Sequence, residues 1–134
     1  MPALDTNVLV RFIVEDESAQ FAAANKLVRE CVAAGDSIFV PVTVALELEW
    51  VLRSNFGFSK QEVIQTLAQL LSSEELTFES EGACEAALSN YRQGPADFSD
   101  CLHTALAIAA GEQPLWTFDR AAAKIEGARL LISR

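Results

Sequence analysis

Basic residues are scarce in this chain. Ten lysines and arginines stand against nineteen aspartates and glutamates in 134 residues, a formal net charge of −9. A non-specific nucleic-acid binder usually has the opposite sign, so charge alone does not point to nucleic acid. The excess acid asks instead for solubility, a metal site or a basic partner. Histidine is scarcer still: His103 stands alone, and no Ser–His–Asp layout is seen. The three cysteines, Cys31, Cys84 and Cys101, are odd in number and have no CxxC spacing. That pattern excludes a disulfide framework or zinc knuckle and suits a reducing cytosol. No apolar run approaches the roughly 20 residues that span a membrane. The start, Met1-Pro2-Ala3-Leu4-Asp5, lacks the basic and apolar regions of a signal peptide. A cytoplasmic location with no membrane partner is expected.

Apolar residues are plentiful, at 51% of the chain. The length suits one domain, residues 1–134, with a core that needs no staples. Short strand-like runs alternate with longer helical ones. Strands are expected at Ala3-Leu4, Ser37 to Val40, Leu76 to Phe78, Leu115 to Phe118 and Ala128 to Ile132. Helices are expected over Glu17 to Ala34, Thr43 to Asn55, Ser59 to Leu71, Glu81 to Arg92, Asp97 to Ala110 and, briefly, Ala121 to Ile125. Ser59 to Glu62 has the form of a capping box. Such alternation predicts an α/β fold, a three-layer α/β/α sandwich with a central parallel sheet. Ligands of open sheets bind beyond the carboxyl ends of the strands.

Four acids fall at that side. Asp5 follows the first strand and Asp119 the fourth. Glu47 and Asp100 lie in the early turns of two helices. Each has a structural alternative. Asp5 can cap the helix beginning near Asn7, Asp119 can cap the one at Ala121, and Asp100 can close a capping box with Asp97. Gathered together, four carboxylates repel unless one takes a proton or a cation sits between them. Mg2+ and Mn2+ are the ions that such oxygen clusters hold.

The helix from Thr43 supplies an internal contrast. Glu47 has Thr43, Val44, Trp50 and Val51 as helical neighbours, so it is expected on an apolar face, desolvated unless bound to a metal. Glu49 has Arg53 four residues on and is expected to form an ordinary solvated pair.

Asp5-Thr6-Asn7-Val8-Leu9, Pro41-Val42-Thr43 leading to Glu47, Ala96 to Leu102, and Thr117-Phe118-Asp119 occur in the order and spacing of PIN domains. Over nearly its whole length the chain resembles that family, and its compact size is similar to the VapC-type toxins of toxin–antitoxin pairs. The resemblance implies an endoribonuclease dependent on Mg2+ or Mn2+. It places Asp5, Glu47 and Asp100 on the metal-binding acids and Asp119 on the fourth acid. It places Thr6 and Asn7 beside the first aspartate and Thr117 near the site. Asp97 is read as a helix cap in preference to a ligand. Arg11 and Arg120 flank the acids and are expected phosphate contacts. His103, one turn after Asp100, is expected to be a surface residue.

The resemblance further implies an RNA substrate, a small cognate antitoxin and a toxin homodimer. The antitoxin is expected to bind across the helices Thr43 to Asn55 and Ser59 to Leu71, on an apolar surface drawn from Trp50, Val51, Leu52, Phe56 and Phe58, and to block the Asp5–Glu47–Asp100 site. A haloacid-dehalogenase-type phosphatase would need an aspartate where Asn7 stands. A receiver domain would need a lysine after a late strand, whereas Lys124 lies in a predicted helix. The alternative is a catalytically inactive PIN-fold scaffold that binds proteins.

Overall fold

The first helix starts where an aspartate can cap it. α1 spans Thr6–Ile13, and the Asp5 side chain accepts a hydrogen bond from the Val8 amide at 3.0 Å. This is a computed structural model describing residues 1–15 and 18–132. Its chain falls into two compact units, Met1–Glu79 and Ser80–Arg134.

In the first unit, α2 (Ala19–Ala33) is capped by Ser18, which accepts from the Phe21 amide. Glu17, where the sequence starts this helix, lies outside the described residues. β1 (Ile38–Val40) pairs in parallel with β2 (Leu76–Phe78), and Ala3 bridges to Phe39 on its other side. The backbone ahead of Asp5 is thereby fixed: the Leu4 amide donates to the Phe39 carbonyl at 3.1 Å. Between the two strands lie α3 (Val42–Asn55) and α4 (Lys60–Ser72).

The two middle helices are capped differently. Ser59 and Glu62 form the full reciprocal capping box at α4. α3 has Pro41 at its N-cap, which offers no side-chain acceptor. Glu79, just beyond β2, supplies one, its Oε1 accepting from the Val42 amide at 2.8 Å. A carboxylate there also complements the positive end of the helix dipole.

α3 corrects the sequence reading of its faces. Its buried residues are Val44, Ala45, Leu48, Glu49 and Leu52. Glu47 is exposed, on the side of Thr43 and Trp50, and Trp50 is 55% exposed. The face around Glu47, expected to be apolar and desolvated, is open to solvent, Trp50 included. Glu49 is the buried acid, 4% exposed, gripped by Arg53 through Nε at 2.7 Å and Nη2 at 3.4 Å. It is not the solvated pair that the spacing predicts.

In the second unit, α5 (Glu81–Gln93) packs on α6 (Phe98–Ala109). The rings of Tyr91 and Phe98 meet edge to face at 5.5 Å. β3 (Leu115–Thr117) and β4 (Ala128–Leu130) pair in parallel, joined through a one-turn 3-10 helix, Ala122–Lys124. Gly127 leads into β4 with φ +99, and a Cβ there would come within 2.7 Å of Ile108 Cδ1 on α6. Only glycine takes that conformation without cost while allowing so close an approach. The architecture is α/β with parallel strand pairing throughout the described residues.

Candidate active site

Three of the acids singled out from sequence meet in the second unit. Asp97 sits at the N-cap of α6, Asp100 in its first turn, and Asp119 after β3. Burial lifts the Asp100 carboxyl above its ordinary value of 3.8, and the charges of Asp119 and Asp97 lift it further. His103, exposed one turn along, pulls the other way. Asp97 holds the cap position with extended backbone, yet its side chain makes no cap hydrogen bond. Its carboxylate belongs to the field around Asp100, and the preference for a capping role is corrected. Nor does Asp100 close a capping box there.

The surroundings of these acids are well fixed. The Thr104 hydroxyl, fully buried, donates to the Asp100 carbonyl at 2.8 Å and secures the first turn of α6. Thr117 Oγ1 accepts from the Asp119 amide at 3.0 Å. Asp119 Oδ1 in turn accepts from the Ala122 amide at 2.9 Å, capping the one-turn helix. Arg120 is exposed next to it.

The first unit carries the other two acids. Asp5 is exposed and uses Oδ1 for its cap bond. Thr6 is buried at 5% exposure, and α1 packs on α3, the helix that bears Glu47. Asn7 and Arg11, one turn apart, line a mostly apolar hollow of about 290 Å³ against α2.

Among the described residues, no three His, Cys, Asp or Glu side chains already stand close enough to hold an ion. The donor chemistry does fit a hard divalent cation. Asp97, Asp100 and Asp119 offer only carboxylate oxygens, and the like charges that add to burial in lifting Asp100 are what a cation would offset.

The family model of the PIN domain matches residues 3–128. The chain belongs to the PIN-domain family. Asp5 to Asp119 all lie inside the matched region of this PIN domain. It is also 25% identical over 120 residues to a VapC ribonuclease of Aquifex aeolicus (strain VF5), covering 90% of this chain and 88% of that protein. No helix among the described residues is long and apolar enough to cross a membrane.

Two features of the site were missed from sequence. The uncapped state of Asp97 has no local signal, because aspartate is a common N-cap whether or not its side chain bonds. The exposure of Trp116 and Phe118 beside Asp119 was hidden as well, because large apolar residues in and after a short strand look the same whether or not another layer covers them.

Proposed function

We propose that this PIN domain is an endoribonuclease dependent on Mg2+ or Mn2+, in which Asp5, Glu47, Asp100 and Asp119 form one acidic site. The observation that carries the reading is the PIN-domain match over residues 3–128, with Asp97 and Asp100 at the start of α6 and Asp119 after β3 as its acids in the second unit. The similarity to a VapC ribonuclease supports the choice of RNA.

When bound, the divalent ion supplies charge neutralisation and an activated water for phosphodiester hydrolysis. Asp5, Glu47 and Asp100 would hold it, and Asp119 would complete the acidic set. Asp97, at the N-cap of α6, would add a further carboxylate beside the ion. Thr117 and Thr104 fix the backbone behind Asp119 and Asp100. Thr6 and Asn7 support Asp5 at the head of α1, while Arg11 and Arg120 contact phosphates flanking the cut. No protein nucleophile is required.

The reading extends to a toxin role in the cytoplasm, with a small antitoxin as partner and a homodimer as the working form; the similarity to a VapC ribonuclease supports the toxin role. A basic antitoxin segment suits a chain of net charge −9. Trp50, 55% exposed, and the half-buried Phe56 and Phe58 offer it an apolar landing surface.

The purified chain is expected to cleave RNA with Mg2+ or Mn2+, to stop in EDTA and to resume when excess ion is returned. Undiminished cleavage in EDTA would refute the metal. Absence of cleavage with every divalent ion would leave the inactive scaffold.

A further inference from the structure

The β3–β4 pair shows an aromatic face to solvent. Trp116 is 53% exposed, Phe118 73% and Leu131 44%. The register sets Trp116 opposite Arg129 and Thr117 opposite Leu130, and the ladder continues with the Leu131 amide donating to the Thr117 carbonyl at 2.7 Å. Trp116 lies in β3 opposite Arg129 in β4, and Phe118 and Leu131 are the residues that directly follow the two strands. Parallel strands ordinarily have both faces covered, which makes large exposed aromatics here an exception that needs a reason. The Arg129 guanidinium lies over the indole of Trp116, 5.5 Å from its centroid.

Charge narrows the occupant. Across residues 115–132 three cations, Arg120, Lys124 and Arg129, outnumber two carboxylates, Asp119 and Glu126. The whole chain has the reverse balance, ten cations to nineteen acids. An acidic protein cannot hold a polyanion by bulk charge, but stacking on aromatic rings needs none. We propose that Trp116 and Phe118 form a stacking platform for unpaired bases of single-stranded RNA, with Arg129 and Arg120 at its phosphates. The proposal rests on the ribonuclease reading above and adds that the substrate is bound by its bases next to Asp119, the residue following Phe118. Only unpaired bases can lie on such rings, so duplex RNA is not accepted.

The chain has two tryptophans, Trp50 and Trp116. Trp50→Phe therefore makes Trp116 the only indole. That variant, in EDTA to prevent cleavage, is titrated with a single-stranded RNA of about 12 nucleotides, a length within the usual range of such sites. Saturable quenching of Trp116 is expected, with none from its duplex or from inorganic polyphosphate. In the chain with Trp50 restored, Trp116→Ala and Phe118→Ala should each weaken binding roughly 5- to 100-fold, and Trp116→Phe should retain most of it. With Mg2+ present, both alanine variants should raise KM while leaving kcat largely intact. Absence of quenching overturns the platform, as does unchanged KM in both alanine variants; if wild type still cleaves, the nuclease reading survives either result. Emission that instead follows protein concentration, with Trp116→Ala converting a dimer to a monomer in sedimentation, assigns the face to a second copy and also overturns it. Quenching by RNA without cleavage under any divalent ion supports the platform and removes the nuclease.

Discussion

Asp100→Asn is expected to lower RNA cleavage on the order of 10²- to 10³-fold while raising the melting temperature of the protein. The loss has the scale seen when one charge-stabilising group leaves a preorganised site. The gain follows from the lifted Asp100 carboxyl. Burial, Asp119 and Asp97 all disfavour its charged form in the folded state. Its folded proton affinity thus exceeds that of the unfolded chain. From about the ordinary value of 3.8 up to the raised one, the folded state binds more protons, so stability falls as pH rises through that window. At neutral pH the full cost is present, and asparagine removes it. Melting curves of both proteins across pH check the sign: the advantage of the variant should be largest at neutral pH and shrink below the window. A variant that is less stable at neutral pH and still cleaves normally would contradict both halves.

The second large effect separates two glutamates on one helix. Glu47→Gln should cut cleavage by a similar order, yet shift stability by no more than about 0.5 kcal/mol, as exposed substitutions do. Arg53→Ala should do the reverse. It strips the cation from Glu49, which is 4% exposed and held at 2.7 Å. Removing one partner of a buried charged hydrogen bond costs about 2–3 kcal/mol, tempered here because Arg53 is itself partly exposed. For a domain of this size that is a fall in Tm of roughly 6–10 °C, with kcat preserved in the folded fraction. Thermal melts beside single-turnover cleavage check the split. Equal loss of activity in both variants would mean that the face of α3 is wrongly assigned to function.

That same helix shows where sequence and structure part. Element positions were legible because punctuation was strong: Gly35 ends one helix, Ser59 and Glu62 open another, and Gly94-Pro95 separates α5 from Asp97. The strand Leu76–Phe78 falls where its apolar alternation puts it. Asp100 and Asp119, whose charges the structure couples, were legible because one lies in the first turn of a helix and the other follows a strand. The faces of α3 were not. Glu47 has the same apolar helical neighbours whether Trp50 is covered or open to solvent, and an i,i+4 Glu–Arg pair reads the same whether buried or solvated. Glu79 capping α3 was equally hidden, since the bond joins residues 37 apart in sequence. Periodicity reports one element at a time, whereas these features depend on what another element brings.

The most direct test of one acidic site is a calorimetric titration of Mn2+ into the whole protein and into Asp5→Asn, Glu47→Gln and Asp100→Asn. If the acids of both units share a cation, wild type binds it and each neutralisation weakens the affinity by about tenfold or more, a loss of at least about 1.4 kcal/mol. Wild-type affinity in both Asp5→Asn and Asp100→Asn would contradict the shared site.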